Sequence, residues 1–100
     1  MLNIKKTMGG GTTTFFLEGR LDTVTAPEFE KEVKASFDEA ESLVLDFEKL
    51  DYISSAGLRV LLMAHKTMAK KGGMKVIHVN ETIKEIFEVT GFADILTIEE

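Results

Sequence analysis

The sequence predicts a single α/β domain with a mixed β-sheet, and three observations support this prediction. Apolar periodicity gives the order ββαβαβα, followed by an uncertain last element. The first two strands flank a glycine run, which favours an antiparallel hairpin, and the later strands alternate with helices, which favours parallel pairing. The 100 residues are 44% hydrophobic, enough for one core. We therefore expect one domain over residues 1–100, with an N-terminal hairpin, parallel strands and packed helices.

The hairpin is predicted from two strand-like segments around Gly9, Gly10 and Gly11. Apolar and polar residues alternate over residues 2–8, and residues 12–17 are β-branched and aromatic. A glycine run can also form a phosphate-binding loop, but neither a Gly-Lys-Ser/Thr sequence nor a helix follows it. We therefore interpret the glycines as a turn.

The first helix is predicted to begin near Thr25. Thr25 can cap the helix, Pro27 suits the first turn, and Glu28 stands three residues after Thr25 as in a capping box. An apolar stripe at helical spacing follows, consisting of Ala26, Phe29, Val33, Phe37 and Ala40.

The remaining elements follow from apolar runs and stop signals. Residues 42–47 predict a strand that is either buried on both faces or central in the sheet. Residues 55–71 predict a second helix ended by Gly72-Gly73, residues 74–79 a strand, and residues 81–89 a third helix capped by Asn80 or Thr82 and ended by Gly91. Residues 95–98 are predicted to form either a short strand or a short helix. The inward stripe of the second helix is predicted as Leu58, Leu61, Leu62, His65, Met68 and Ala69.

Composition excludes several classes of function. A net charge of −5 argues against nucleic-acid binding, and the absence of cysteine excludes disulfides and thiolate metal sites. No apolar run approaches the ~18–20 residues that span a bilayer, and the N-terminus has no apolar signal-peptide core. We expect a cytoplasmic protein that contacts neither membrane nor nucleic acid.

Catalytic patterns are weak. His65 and His78 have no cysteine or clustered carboxylates beside them in the sequence, so we interpret each as a lone core or surface histidine. Ser55 is not preceded, two residues earlier, by the glycine that a Gly-x-Ser-x-Gly nucleophile elbow requires. We therefore predict no enzymatic activity, no cofactor and no metal site.

The two adjacent serines at the start of the second helix are the strongest candidate site. A helix start exposes unpaired backbone amides and the positive end of the helix dipole, and one serine suffices to cap it. If Ser54 is the cap, the Ser55 hydroxyl can face outward. The loop lies where strands end at their carboxyl edge, as does Asp22 after the second strand. Gly57 permits either close packing of helix on strand or an open backbone surface for a partner.

The same residues carry a family resemblance. Residues 51–62 read DYISSAGLRVLL, which resembles the signature of STAS domains (sulphate transporter and anti-sigma factor antagonist). Residues 16–22, FLEGRLD, and residues 25–27, TAP, resemble two further parts of that family, so the resemblance covers nearly the whole chain. It implies the mixed-sheet fold, and a chain of this one domain looks most like the stand-alone bacterial anti-sigma factor antagonists.

The resemblance implies a phosphorylation switch. Such antagonists bind an anti-sigma factor that is also a serine kinase, phosphorylation of a serine at this helix start dissociates the complex, and a serine phosphatase restores binding. The best-known pattern is Asp-Ser-Ser-Gly with phosphate on the second serine, and Ala56 occupies that position here. We therefore predict Ser55 as the acceptor, with Ser54 second, while binding without phosphorylation stays open. The residues expected to contact the partner include Asp22, Ser54, Ser55, Ala56 and Gly57.

A basic helix face beside the serines extends this expected contact surface. Arg59, Met63 and Lys66 are spaced to share one exposed face of the second helix, which is either a docking surface or an ordinary solvated face. Two other classes of function stay open: a sensor of a small ligand or nucleotide that uses the loops around Asp22 and Ser54, and a structural subunit of a signalling complex.

Overall fold

Strands and helices alternate along the computed structural model, which describes residues 2–99. The elements of this described part are β1 (Leu2–Gly9), β2 (Thr12–Leu21), α1 (Ala26–Ser36), β3 (Ser42–Ile53), α2 (Ser55–Met68), β4 (Met74–Ile77), α3 (Glu81–Thr90), a 3-10 turn (Phe92–Asp94) and β5 (Thr97–Glu99). They form one sheet in the order β1-β2-β3-β4-β5, in which β1 is antiparallel to β2 and the other pairs are parallel. The predicted mixed-sheet α/β architecture is confirmed.

The helices cover one face of the sheet. The strand order steps in one direction, which places successive right-handed crossovers on the same side. Burial alternates accordingly, since Phe15 and Leu17 of β2 are buried while Phe16 and Glu18 are exposed. The Phe15 ring meets Phe29 of α1 edge to face at 6.0 Å, which joins the sheet to the first helix. The opposite face of the sheet is left open.

Strands β2 and β3 are longer than the apolar pattern predicted, and this difference positions the candidate site. Their pairing shifts register twice, because three steps along β3 from Asp46 to Lys49 match two along β2, and two steps from Leu50 to Tyr52 match one. Each extra residue is a β-bulge that interrupts the alternation of buried and exposed positions. Because the alternation is interrupted, residues 48–53 were not predicted to be part of the strand. The prediction that β3 is central is confirmed.

The predicted C-terminal ends of the first and second helices lie several residues beyond the observed ends. Helix α1 ends at Ser36, so Phe37 and Ala40 pack beyond it, and α2 ends at Met68. The Gly73 amide donates to the Met68 carbonyl at 2.9 Å, and the φ of +91° at Gly73 suits this left-handed helix exit.

The inward stripe of α2 is rotated by about one residue from the prediction. Leu62 and His65 are half-buried and Ala69 is exposed, whereas Val60 and Ala64 are buried. The buried Gly57, whose backbone lies against Ile53 and Leu21, belongs to this inward face.

The turns and the third helix agree with the sequence predictions. Gly10 and Gly11 both have positive φ, +61° and +85°, as a tight hairpin turn requires. Asn80 caps α3 through the Ile83 amide at 2.9 Å, and Gly91 ends the helix. The short last element is a strand, β5. Among residues 2–99, no helix has both the length and the apolar character needed to cross a membrane.

Candidate functional site

The Asp22 loop and the Ser54 loop lie side by side at the carboxyl edge of the sheet. Leu21 and Ile53, the last residues of β2 and β3, are paired, and the Ser54 amide donates to the Leu21 carbonyl at 2.8 Å. Loops at this edge of a parallel sheet are where α/β domains commonly contact ligands and partners. The two loops thus form one rigidly supported surface.

The two serines divide between capping and exposure. Ser54 has extended backbone angles, and its Oγ accepts a long hydrogen bond of 3.4 Å from the Gly57 amide. Ser55 is the first residue of α2 and is exposed, and its hydroxyl makes no hydrogen bond to any residue that the structure describes. The predicted capping role of Ser54 is confirmed, and the Ser55 hydroxyl is accessible.

Gly57 is where α2 packs against the sheet. A Cβ at this position would stand 2.8 Å from Ile53 Cγ1 and 2.8 Å from Leu21 Cγ, both buried side chains. Gly57 is itself buried, so the interpretation as an open backbone surface is wrong and the close-packing interpretation is right. The glycine lets α2 approach the ends of β2 and β3 and thereby fixes the position of Ser55.

Asp22 organises its own loop. Its Oδ1 accepts from the Val24 and Thr25 amides, each at 3.0 Å. The Thr25 amide lowers the pKa of Asp22, with help from the Thr25 hydroxyl and the Val24 amide, so the carboxylate is ionised at neutral pH. Thr25 directly precedes α1, as predicted, but its side chain does not cap the helix, because its hydroxyl donates instead to the Arg20 carbonyl at 2.8 Å.

A groove of about 270 Å³ runs beside the serines between α1 and α2. Ala56, Arg59 and Met63 form its α2 wall, so the structure brings together three of the predicted contact residues. Met63 is half-buried and packs against the core, which corrects the prediction that it is exposed. The α1 side was not predicted, because the contact between helices has no local sequence signal; it is formed by Thr23, Ala26, Pro27 and Glu30.

The remaining basic and apolar groups extend this surface. Arg59 and Lys66 are exposed and stand two helical turns apart on one side of α2, but Lys66 does not line the groove. Arg20 lies over the Tyr52 ring at 4.5 Å and 3.9 Å from Asp22, and Val24 is 85% exposed at the tip of the Asp22 loop. The sequence signal that could have indicated Val24 is an apolar β-branched residue within a predicted turn.

His78 is not a lone histidine, contrary to the sequence prediction. It follows the end of β4, and its Nδ1 lies 3.1 Å from both carboxylate oxygens of Asp46 and 3.9 Å from Glu48 Oε1. The carboxylates belong to a strand 30 residues away in sequence, so no local pattern indicated them. The group lies on the open face of the sheet, away from the serine loop.

Comparison with known proteins identifies the family. The STAS domain family matches residues 3–100. A Bordetella bronchiseptica protein named as a candidate anti-sigma factor antagonist, BtrV, is 37% identical over 84 residues, covering 82% of this chain and 72% of its own. The anti-sigma-B factor antagonist of Bacillus subtilis is 26% identical over 83 residues, covering 82% of this chain and 76% of its own. The crystal structure of an anti-sigma factor antagonist from Mycobacterium paratuberculosis has a TM-score of 0.89 at 22% identity, covering 98% of this chain and 85% of that one. With its fold, its helix-start serines and these matches in agreement, the chain belongs to the STAS domain family.

Proposed function

We propose that this protein is an anti-sigma factor antagonist that binds an anti-sigma factor with serine kinase activity and is released when Ser55 is phosphorylated. One observation carries the proposal: Ser54 caps α2, while the neighbouring Ser55 hydroxyl is exposed and engaged by no described residue. The names of the Bordetella and Bacillus relatives support the partner class. A serine phosphatase would restore the binding form.

The free protein can carry a phosphate on Ser55 without losing its fold. Phosphorylation adds a charge of about −1.5 to −2 at neutral pH, and a helix N-terminus favours an anion by about 0.3–1 kcal/mol. Arg59 stands four residues on, a spacing that places it on the same side of the helix. A phosphate on Ser55 therefore has both the helix dipole and a guanidinium to stabilise it.

The same phosphate disrupts an interface that fits a neutral serine. Its charge must be desolvated against the partner, and an uncompensated buried charge costs about 3–5 kcal/mol, which is about two to four powers of ten in Kd. If Arg59 pairs with the phosphate, it is also withdrawn from the groove that it lines with Ala56 and Met63. The desolvation cost of the phosphate and the withdrawal of Arg59 from the groove would both weaken binding of the partner.

The protein itself acts by binding rather than by turnover. Of the two histidines in the chain, His65 lies ten residues along α2 from Ser55, about 15 Å by helical rise, and His78 lies on the open face of the sheet. Neither is placed to activate the Ser55 hydroxyl as a general base. The phosphoryl transfer is therefore assigned to the partner kinase.

The test is a kinase reaction followed by phosphosite mapping. Each anti-sigma factor kinase of the same genome is mixed with the purified protein, complexes are identified by gel filtration, and the binding kinase is supplied with ATP. Mass spectrometry should locate phosphate on Ser55, and Ser55→Ala should bind the kinase and stay unmodified. Phosphate on Ser54 would move the acceptor by one residue, and phosphate on neither serine under a binding kinase would end the switch proposal.

A further inference from the structure

A cluster of one imidazole and two carboxylates occupies the open face of the sheet. One ring nitrogen of His78, one carboxylate oxygen of Asp46 and one of Glu48 lie within 4.8 Å of one another. This face is opposite the helices, and the cluster lies apart from the residues to which the proposed switch is assigned.

Asp46 and Glu48 stand two residues apart on β3, a spacing that places both carboxylates on the same face of the strand. Asp46 precedes the register shift and Glu48 lies within it, and the Asp46 carboxylate accepts the Glu48 amide at 3.0 Å. Phe47 between them is buried against Phe87 of α3 on the covered face, so its neighbours face the open side. The strand geometry therefore fixes the carboxylates relative to each other.

His78 completes the cluster from the neighbouring strand. Asp46 pairs with Ile77 at the end of β4, and His78 follows directly with a φ of +58°. This left-handed conformation is uncommon for residues other than glycine, although histidine, asparagine and aspartate adopt it more readily than most. In this conformation the imidazole Nδ1 lies 3.1 Å from Asp46 Oδ1 and 3.9 Å from Glu48 Oε1.

We propose that His78, Asp46 and Glu48 form a binding site for a divalent transition-metal ion such as Zn²⁺ or Co²⁺. Ligand bonds of about 2.0–2.2 Å require neighbouring donor atoms about 3–3.6 Å apart. His78 Nδ1 lies 3.1 Å from the Asp46 carboxylate, and its 3.9 Å separation from Glu48 would have to shorten by a few tenths of an ångström on metal binding. Imidazole together with carboxylates suits Zn²⁺ and related ions, whereas Mg²⁺ and Ca²⁺ prefer oxygen alone. When the metal binds, Nδ1 must be unprotonated, and any proton it shared with Asp46 leaves to solvent.

The burial of Asp46 distinguishes this cluster from ordinary surface acids. Its side chain is only 9% exposed, and an ionised carboxylate in such a position needs compensating charge or hydrogen bonds. His78 and the Glu48 amide provide part of this compensation. A divalent cation between the three side chains would compensate the carboxylates more fully.

The surroundings leave room for further ligands on the metal. Asp46 and Glu48 also line a groove of about 320 Å³ on the open face, whose other members include Lys5, Phe16 and Lys49. Three protein ligands do not complete a coordination shell, so water or another small ligand would occupy the remaining positions from this groove.

The experiment measures metal binding by untagged protein. Zn²⁺ binding is followed by titration calorimetry and Co²⁺ binding by its visible absorption, with NMR spectra recorded to locate the perturbed residues. We expect one equivalent to bind and to shift the His78 resonances. Because the chain contains two histidines and no cysteine, His65→Asn is the matched control and should bind with unchanged affinity.

Two variants decide the assignment. His78→Asn keeps a residue that tolerates positive φ but removes the imidazole, and Glu48→Gln changes an exposed side chain with little risk to the fold. Each should lose about tenfold or more in metal affinity while its circular dichroism spectrum is retained. The proposal is overturned if neither ion binds at millimolar concentration, if either variant binds with full affinity, or if His65→Asn abolishes binding.

Discussion

Ser54 and Ser55 are adjacent in the chain but differ in what their hydroxyls do. Ser54 Oγ accepts a hydrogen bond from the Gly57 amide at the start of α2, while the exposed Ser55 hydroxyl makes no hydrogen bond to any described residue. Under the proposed function, Ser54 Oγ supports the helix start and Ser55 Oγ accepts the phosphate. A substitution that tests one should leave the other largely intact.

Alanine substitutions should separate these two roles. Ser54→Ala removes the cap and should lower the free energy of unfolding by about 1 kcal/mol. Ser55→Ala removes an exposed, unbonded hydroxyl and should change it by less than about 0.5 kcal/mol. Urea denaturation of the two variants measures the difference. Equal losses would show that both serines support the helix start and would contradict the division of roles.

Gly57→Ala should destabilise the protein even though alanine is the better helix former. Its helix propensity favours alanine by about 1 kcal/mol, but the new methyl would stand 2.8 Å from both Ile53 and Leu21. Overpacking of this kind costs about 1–3 kcal/mol, so thermal unfolding should occur at lower temperature. Lys66→Ala, at an exposed position in the same helix, is the control and should not lower it. A stabilised Gly57→Ala variant would contradict the packing account.

At the residue scale, the sequence predicted local features better than features that depend on distant contacts. Capping by Ser54 follows from adjacent residues, and it was predicted. Thr25 was wrongly predicted as a cap because Asp22 binds the loop amides and the Thr25 hydroxyl turns to Arg20. The choice between two roles for Gly57 required the position of Leu21, and the cluster around His78 required a strand far away in sequence.

At the element scale, regular periodicity was readable and its interruptions were not. The hairpin turn and the start of α2 were correctly predicted because glycine and serine give local signals. The continuation of β3 through residues 48–53 was missed because two bulges disrupt the alternation on which strand prediction depends. The same segment contains Glu48 and leads into Ser54, so it contributes to both candidate sites.

Helix α2 also provides a test of the docking surface. Charge reversal by Arg59→Glu and Lys66→Glu should weaken binding of the anti-sigma factor, because two exposed cations on one helix side become anions. The melting temperature should fall by less than about 5 °C, since neither side chain is buried. Lys31→Glu, which reverses an exposed charge on α1, should bind normally. If titration calorimetry shows unchanged affinity for the double variant, this side of α2 is not part of the interface.

At the scale of the whole molecule, the element order largely determined the architecture. Strand and helix alternation predicted parallel pairing, and the glycine turn predicted the antiparallel edge, so the mixed sheet followed from local signals. Which loops meet at the carboxyl edge also followed from that order. The groove between α1 and α2 did not, because it depends on how closely Gly57 brings the second helix to the sheet.

The switch requires that phosphate change the complex and leave the domain folded. The second condition is supported by the exposure of Ser55 and by its position at a helix N-terminus, which favours negative charge. The first condition belongs to the interface with the partner. The two conditions can be measured on one pair of samples.

The most direct measurement compares unmodified protein with protein that carries phosphoserine only at position 55. We predict that the Kd for the anti-sigma factor kinase rises by about a hundredfold or more on phosphorylation. The melting temperature of the free protein should change by less than about 5 °C. Ser55→Asp, which adds a smaller charge, should give a weaker effect in the same direction. An unchanged Kd, or a phosphorylated protein that binds poorly because it has lost its fold, would contradict the account.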